Sequence, residues 1–199
     1  MNIAVFASGR GTNFSAIIRA TKLGKIKANL SLLVCDNPKA GAIGRAKRAG
    51  VKVALVLRDD FATRGEFEDK IIQHLEENNI DLIVLAGFMR LLSSEFVVRY
   101  KNKILNIHPA ILPSFKGTQG IEDAFNYGVK VTGVTVHFVD EKTDHGPIIL
   151  QAPVRIEEDD TLESLEAKIH KIEHKLYPEA IRLYVEGKLR IEERKVKIT

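Results

Sequence analysis

The chain is poor in the residues that mark several protein classes. It holds one cysteine, two methionines and no tryptophan in 199 residues. A single thiol, Cys35, cannot close an intrachain disulfide, which argues against a disulfide-stapled secreted fold and for a reducing compartment, read as the cytoplasm. Because Cys35 ends an apolar run, it reads as a small buried hydrophobe rather than a nucleophile. No apolar stretch approaches the ~20 residues that cross a bilayer, so no membrane partner is expected. The strand pattern starts at Asn2, so no signal peptide is expected. Internal repeats, linkers and low-complexity segments are absent, so one domain over 1–199 is expected, with the order of the tail after about Leu189 left open. A dense basic stripe interleaved with aromatics is missing too. The net charge is +4 and the pI is near 9.1, but the excess lies in Lys22 to Lys27 and in Lys188 to Lys197. Nucleic acid is therefore not expected as a partner, whereas mild basicity suits small anionic ligands. His74, His170 and His174 fall on predicted helices. The last two have i, i+4 spacing, but neither an HExxH pattern nor further cysteines accompany them, so no metal is expected.

What is present alternates. Apolar runs at Asn2–Ala7, Leu30–Cys35, Val51–Leu57, Ile80–Ala86 and Ile104–His108 read as strands. Between them lie helical patterns: after Asn13, which can cap a helix carrying Phe14, Ile17, Ile18 and Leu23; over Ala40–Ala49, stopped by Gly50; from a capping box at Thr63 to Glu66; and from Ser93 or Ser94 to Tyr100. This order predicts an α/β fold: a single Rossmann-like domain with a mostly parallel twisted sheet and helices on both faces. The second half differs. Val131 to Val139 alternates and reads as a strand wetter on one face. Pro147 to Ile156 is a further strand that can pair with it antiparallel across a loop at 140–146, giving an antiparallel C-terminal strand pair. A long helix follows from about 161 to 186.

Two places carry chemistry. Ser8-Gly-Arg-Gly11-Thr12-Asn13 turns from strand to helix. Glycines permit a tight turn, and free N–H groups at a helix start favour an anion. Phe14 stands three residues after Gly11, where a dinucleotide fingerprint needs glycine, so the turn favours a single phosphate over a nicotinamide cofactor. Asn106 and His108 share one strand face near the C-terminal end of the fifth strand, where ligands of open α/β sheets bind. An uncharged amide and an imidazole suit acyl-type transfer, in which a carbonyl oxygen gains charge. An acid from the polar loop Asp140-Glu141-Lys-Thr-Asp144 can hold His108; spacing does not say whether this is Asp140, Glu141 or Asp144.

Several of these segments resemble the folate-dependent formyltransferases. They are Gly11-Thr12-Asn13, Ala86-Gly-Phe-Met89-Arg90, Asn106-Ile-His108-Pro109-Ala-Ile-Leu-Pro113, and Val136-His-Phe-Val-Asp140 leading to Asp144-His-Gly146-Pro147-Ile148. The phosphate turn, the length and Glu173-His174-Lys-Leu-Tyr177-Pro178 are similar to the branch acting on glycinamide ribonucleotide. The likeness runs from Met1 to about Leu189. It implies 10-formyltetrahydrofolate as co-substrate, without a metal, and formyl transfer to the amine of the ribonucleotide in purine biosynthesis. It also implies Asn106, His108 and Asp144 as the catalytic set. Gly11, Thr12, Asn13 and Glu173 would bind the ribonucleotide. Arg64, Met89, Arg90, Leu91, Leu92, Asn106, Asp140 and Asp144 would bind the folate. Partners would be these small molecules, on a monomer or homodimer. The deformylase and tRNA-formylating relatives carry extra N- or C-terminal domains; with the first strand at Asn2 and the family likeness ending near Leu189, neither is expected here. Gln119 stands where many relatives carry histidine and is not counted in the site; the glycines around it suggest a mobile loop.

Overall fold

The computed structural model describes residues 1–199. Five parallel strands form one half of a single sheet: β1 (Asn2–Phe6), β2 (Asn29–Cys35), β3 (Lys52–Leu55), β4 (Leu82–Leu85) and β5 (Ile104–His108). Helices α1 (Thr12–Lys22), α2 (Gly41–Ala49), α3 (Arg64–Glu77) and α4 (Ser94–Arg99) connect them. After β5 the chain forms α5 (Gly120–Tyr127), β6 (Val131–Phe138), β7 (Ile148–Arg155), α6 (Leu162–Val185) and a hairpin of β8 (Leu189–Glu192) and β9 (Lys195–Ile198). The strand order is β3-β2-β1-β4-β5-β6-β7-β9-β8. The order reverses between β1 and β4, and a crevice opens outside the carboxyl ends at such a switch point.

Each face of the sheet is covered. One core of 28 buried residues gathers Val5, Leu33, Val84 and Leu105 against Phe14 and Ile17 of α1 and Leu165, Ile169 and Tyr177 of α6. A second, of 13, sets Phe6, Val34 and Ile83 against Phe67 and Ile71 of α3 and Phe96 of α4. Continuous apolar strands are what two covered faces require. The expected fold class holds, including β6 and β7 pairing antiparallel. The capping box at Thr63 and Glu66 is formed. A second joins Thr161 to Ser164 at the start of α6, with Asp160 accepting from Ser164 and Lys168.

Two expectations are corrected, and the open question of the tail is answered. Strand β6 is not wetter on one face: Thr135 and His137 are as buried as Val134 and Val136. The segment after β5 folds back over it, so that Thr135 Oγ1 donates to the Ala110 carbonyl and accepts from Leu112 N–H. Helix α1 starts at Thr12, not after Asn13, and its cap is Gly11 in the left-handed region, φ 72°. This leaves the Asn13 side chain free to reach α6. The tail after Leu189 is an ordered hairpin joined to β7 through β9.

Candidate active site

The carboxyl ends of β1, β4, β5 and β6 surround one cavity of about 610 Å³. Every residue singled out from the sequence lines it: Gly11, Thr12, Asn13, Arg64, Met89, Arg90, Leu91, Leu92, Asn106, His108, Asp140, Asp144 and Glu173. Gln119 does not; it bonds to Glu122.

At the centre, Asn106 and His108 project from the last turns of β5. His108 is 3% exposed. Its Nε2 donates to the Phe115 carbonyl at 2.7 Å, which places a proton on that nitrogen and turns Nδ1 toward the cavity. Gly120 lies flat against the ring: a Cβ there would stand 3.2 Å from Nε2 and 2.9 Å from the Phe115 oxygen. Nδ1 faces Asp144 Oδ2 at 3.5 Å, where a proton on Nδ1 makes an ion pair. Of the three acids left open by spacing, Asp144 is thus the one beside His108. It sits at φ 47°, and its Oδ2 accepts the Gly117 N–H at 2.8 Å. Asp140 is turned away, accepting from His145 Nδ1 and Lys142 N–H.

His137, which carries no role in the sequence reading, lies beside this centre. It pairs with Asn106 across the antiparallel β5–β6 ladder. Its Nδ1 donates to the Phe138 carbonyl at 2.7 Å, so Nε2 keeps a lone pair, and Asn106 Nδ2 donates to it at 3.2 Å. Burial pushes the His137 pKa down, which holds the ring neutral. The same Asn106 nitrogen lies 3.5 Å from Asp144 Oδ1. The signal that could have found His137 is register: it is the residue opposite Asn106.

At one end lies the glycine turn. A Cβ on Gly11 would stand 2.9 Å from Ala42, so close approach and positive φ both demand glycine. The first N–H groups of α1 have no helical partners and no acidic residue occupies the first turn, which leaves the terminus open to an anion. Asn13 Nδ2 donates to Glu173 Oε2 at 3.0 Å, and His170 Nδ1 donates to the same oxygen at 2.8 Å. That bond raises the His170 pKa. Glu173 is thus a buried carboxylate tied to the glycine turn through Asn13, on a helix that continues through Pro178.

At the other end the loop after β4 bends over the cavity. Ser8 stitches it to the first strand: Ser8 N–H donates to the Gly87 carbonyl and Ser8 Oγ accepts from Met89 N–H. Arg64 donates from Nη2 to the Leu91 carbonyl at 2.6 Å and pairs with the buried Glu68. Glu68 also accepts from Ser93 N–H. Arg90 pairs with Asp36 at 2.8 Å. Met89 and Leu91 remain largely exposed over the cavity, an apolar edge suited to a flat ring.

No group of three or more His, Cys, Asp or Glu side chains converges as metal ligands, and no helix is long and apolar enough to cross a membrane. A doubly covered α/β sheet with an amide, an imidazole and a carboxylate gathered beside β5 suits acyl-group chemistry. Residues 1–181 match the model of the formyl transferase family, and the chain belongs to that family. It is 46% identical over 179 residues to phosphoribosylglycinamide formyltransferase of Bacillus subtilis (strain 168), covering 90% of this chain and 92% of that protein. The enzyme of the same name from Haemophilus influenzae is 40% identical, over 96% of this chain and 90% of its own. The crystal structure of glycinamide ribonucleotide transformylase 1 from Symbiobacterium toebii superposes with a TM-score of 0.97 at 42% identity, covering 100% of this chain and 93% of that one.

Proposed function

We infer that this chain transfers the formyl group of 10-formyltetrahydrofolate to the amine of N1-(5-phospho-D-ribosyl)glycinamide, in purine biosynthesis. The observation that carries the reading is that the cavity has an anion-ready turn at one end, an apolar loop at the other, and Asn106, His108 and Asp144 between them. Two reactants held end to end across that centre meet at the three side chains, and such placement supplies much of the acceleration.

Gly11, Thr12 and Asn13 bind the phosphate through the α1 terminus, and Glu173 takes the ribose or amine end. Met89, Leu91 and Leu92 flank the pterin, with Arg64, Arg90 and Asp140 along the rest of the folate. The ribonucleotide amine attacks the formyl carbon, and the carbonyl oxygen becomes an oxyanion. Asn106 Nδ2 and a proton on His108 Nδ1 donate to that oxygen. Asp144, beside His108 Nδ1, receives the amine proton through a water. His108 then delivers a proton to the departing folate nitrogen, and the C–N bond breaks. A reducing compartment, the cytoplasm, suits an unpaired buried Cys35.

The test is isotopic. With 10-formyltetrahydrofolate labelled at the formyl carbon, the label appears in the ribonucleotide by mass spectrometry. Label recovered as free formate with the ribonucleotide present would overturn transfer in favour of hydrolysis.

A further inference from the structure

The loop that carries Asp140 and Asp144 is poorly backed. Behind it lies a second cavity of about 410 Å³, between α4 and the C-terminal hairpin, with Val97, Val139, Asp140 and Glu141 shared between the two cavities. Packing therefore does not fix this loop from behind, and Asp144 sits at φ 47°, which the surroundings must hold. Its base is fixed by Gly146, where a Cβ would fall 1.9 Å from the Phe138 oxygen. Its middle is fixed by Arg194, in the turn between β8 and β9. Arg194 Nη2 donates to the His145 carbonyl at 2.8 Å, and Nη1 lies against the His145 ring, 3.0 Å from Nε2 and 3.2 Å from Nδ1. His145 Nδ1 in turn donates to Asp140 Oδ2 at 2.6 Å. The hairpin that presents Arg194 is docked on β7, the strand leaving the loop, through Ile148 and Lys195.

We propose that Arg194 is a positioning residue: through His145 it straps the loop so that Asp140 faces the folate end and Asp144 meets His108. This rests on the function proposed above. Arg194 touches no catalytic side chain, so its effect must pass through the loop. A guanidinium fork can span a backbone carbonyl and an imidazole at once, which a lysine ammonium on a flexible stem cannot reproduce.

The test compares the full-length wild type with Arg194→Ala and Arg194→Lys. Steady-state kinetics are measured with each substrate varied, and hydrogen exchange is followed at amides 140–146. Arg194→Ala is expected to lower kcat/KM for 10-formyltetrahydrofolate by about 10- to 100-fold, the effect of small misplacement near the chemistry. The ribonucleotide KM should stay within about twofold, since the phosphate end is untouched. Exchange should quicken at 140–146 and stay unchanged at 12–22, and Arg194→Lys should fall between the two. Unchanged kinetics and exchange, or equal losses toward both substrates, would overturn the strap. Should Arg194→Ala fail to fold, Arg194→Lys carries the same comparison. Exchange needs no substrate, so a wild type without transfer activity would sink the proposed function while the loop measurement still decides on the strap.

Discussion

Asn106 Nδ2 points at His137 Nε2, 3.2 Å away across the β5–β6 ladder. Because His137 Nδ1 is committed to the Phe138 carbonyl, Nε2 can only accept. The amide of Asn106 is therefore turned nitrogen-first toward the centre of the cavity, as an oxyanion donor must be. His137→Ala frees the amide to flip, and kcat should fall more than in His137→Gln, which keeps an acceptor. A hydrogen bond of this kind is worth about 1 kcal/mol, or roughly fivefold. Pre-steady-state transfer rates in the two variants check this; equal rates would separate His137 from Asn106.

The same histidine shapes acid stability. Its folded pKa lies below the ordinary value because burial disfavours the charged ring, against the attraction of Asp144 and Asp140 and with the repulsion of His108. The unfolded chain takes up this proton below about pH 6.5 while the folded chain refuses it, so stability is present above that pH and lost as pH falls toward the folded pKa. His170 acts in the opposite window: Glu173 raises its pKa, and its contribution is lost as pH rises through that raised value. Urea midpoints measured against pH should show a shallower acid slope in His137→Gln and a shallower alkaline slope in His170→Gln.

The role proposed for Asp144 predicts an effect on chemistry more than on binding. Asp144→Asn keeps an acceptor for the Gly117 N–H but removes the charge beside His108. The expected loss in kcat is about 100- to 10,000-fold, the range for a positioned acid–base group. Little change is expected in the folate dissociation constant by fluorescence titration. A loss confined to affinity would place Asp144 outside the chemistry.

Glu173 and Asn13 stand at the end of the cavity proposed for the ribonucleotide. Glu173→Ala removes the oxygen that receives both Asn13 and His170. A hydrogen bond to a charged group is worth about 1.5–3 kcal/mol, so the ribonucleotide KM should rise by tenfold or more. The folate KM should hold. A rise in both would mean that the end of α6 supports the whole cavity.

Tyr177 tests the floor beneath the site. It is fully buried, and its hydroxyl lies within hydrogen-bonding reach of the Leu85 carbonyl at the end of β4 and the Leu105 carbonyl near the start of β5. Tyr177→Phe removes the one hydrogen bond that this hydroxyl can donate, at a cost of about 1 kcal/mol. The thermal midpoint should drop, whereas both KM values should move little. An unchanged midpoint would contradict the bond.

Much of this molecule was legible in its sequence because local rules and global fold agree. The apolar runs at Asn2, Leu30, Ile80 and Ile104 are strands because both faces are covered, and Thr63 with Glu66 and Ser93 start helices because each satisfies orphan N–H groups. Period-2 spacing put Asn106 and His108 on one face. Other features needed tertiary contacts. The alternation around His137 read as a wet face because the covering segment, 109–119, is irregular. Asp140, Glu141 and Asp144 were equivalent until the loop took its shape. The hairpin at 189–198 is short and rich in charge, and only its docking on β7 gives Arg194 a target.

The most direct measurement follows folate absorbance after mixing the protein with 10-formyltetrahydrofolate, with and without glycinamide ribonucleotide. Transfer predicts release of the product folate only when the ribonucleotide is present, and its disappearance in His108→Ala. Equal release without the ribonucleotide would contradict transfer and mean hydrolysis; no release from a folded protein in either case would mean that the cavity binds without reacting.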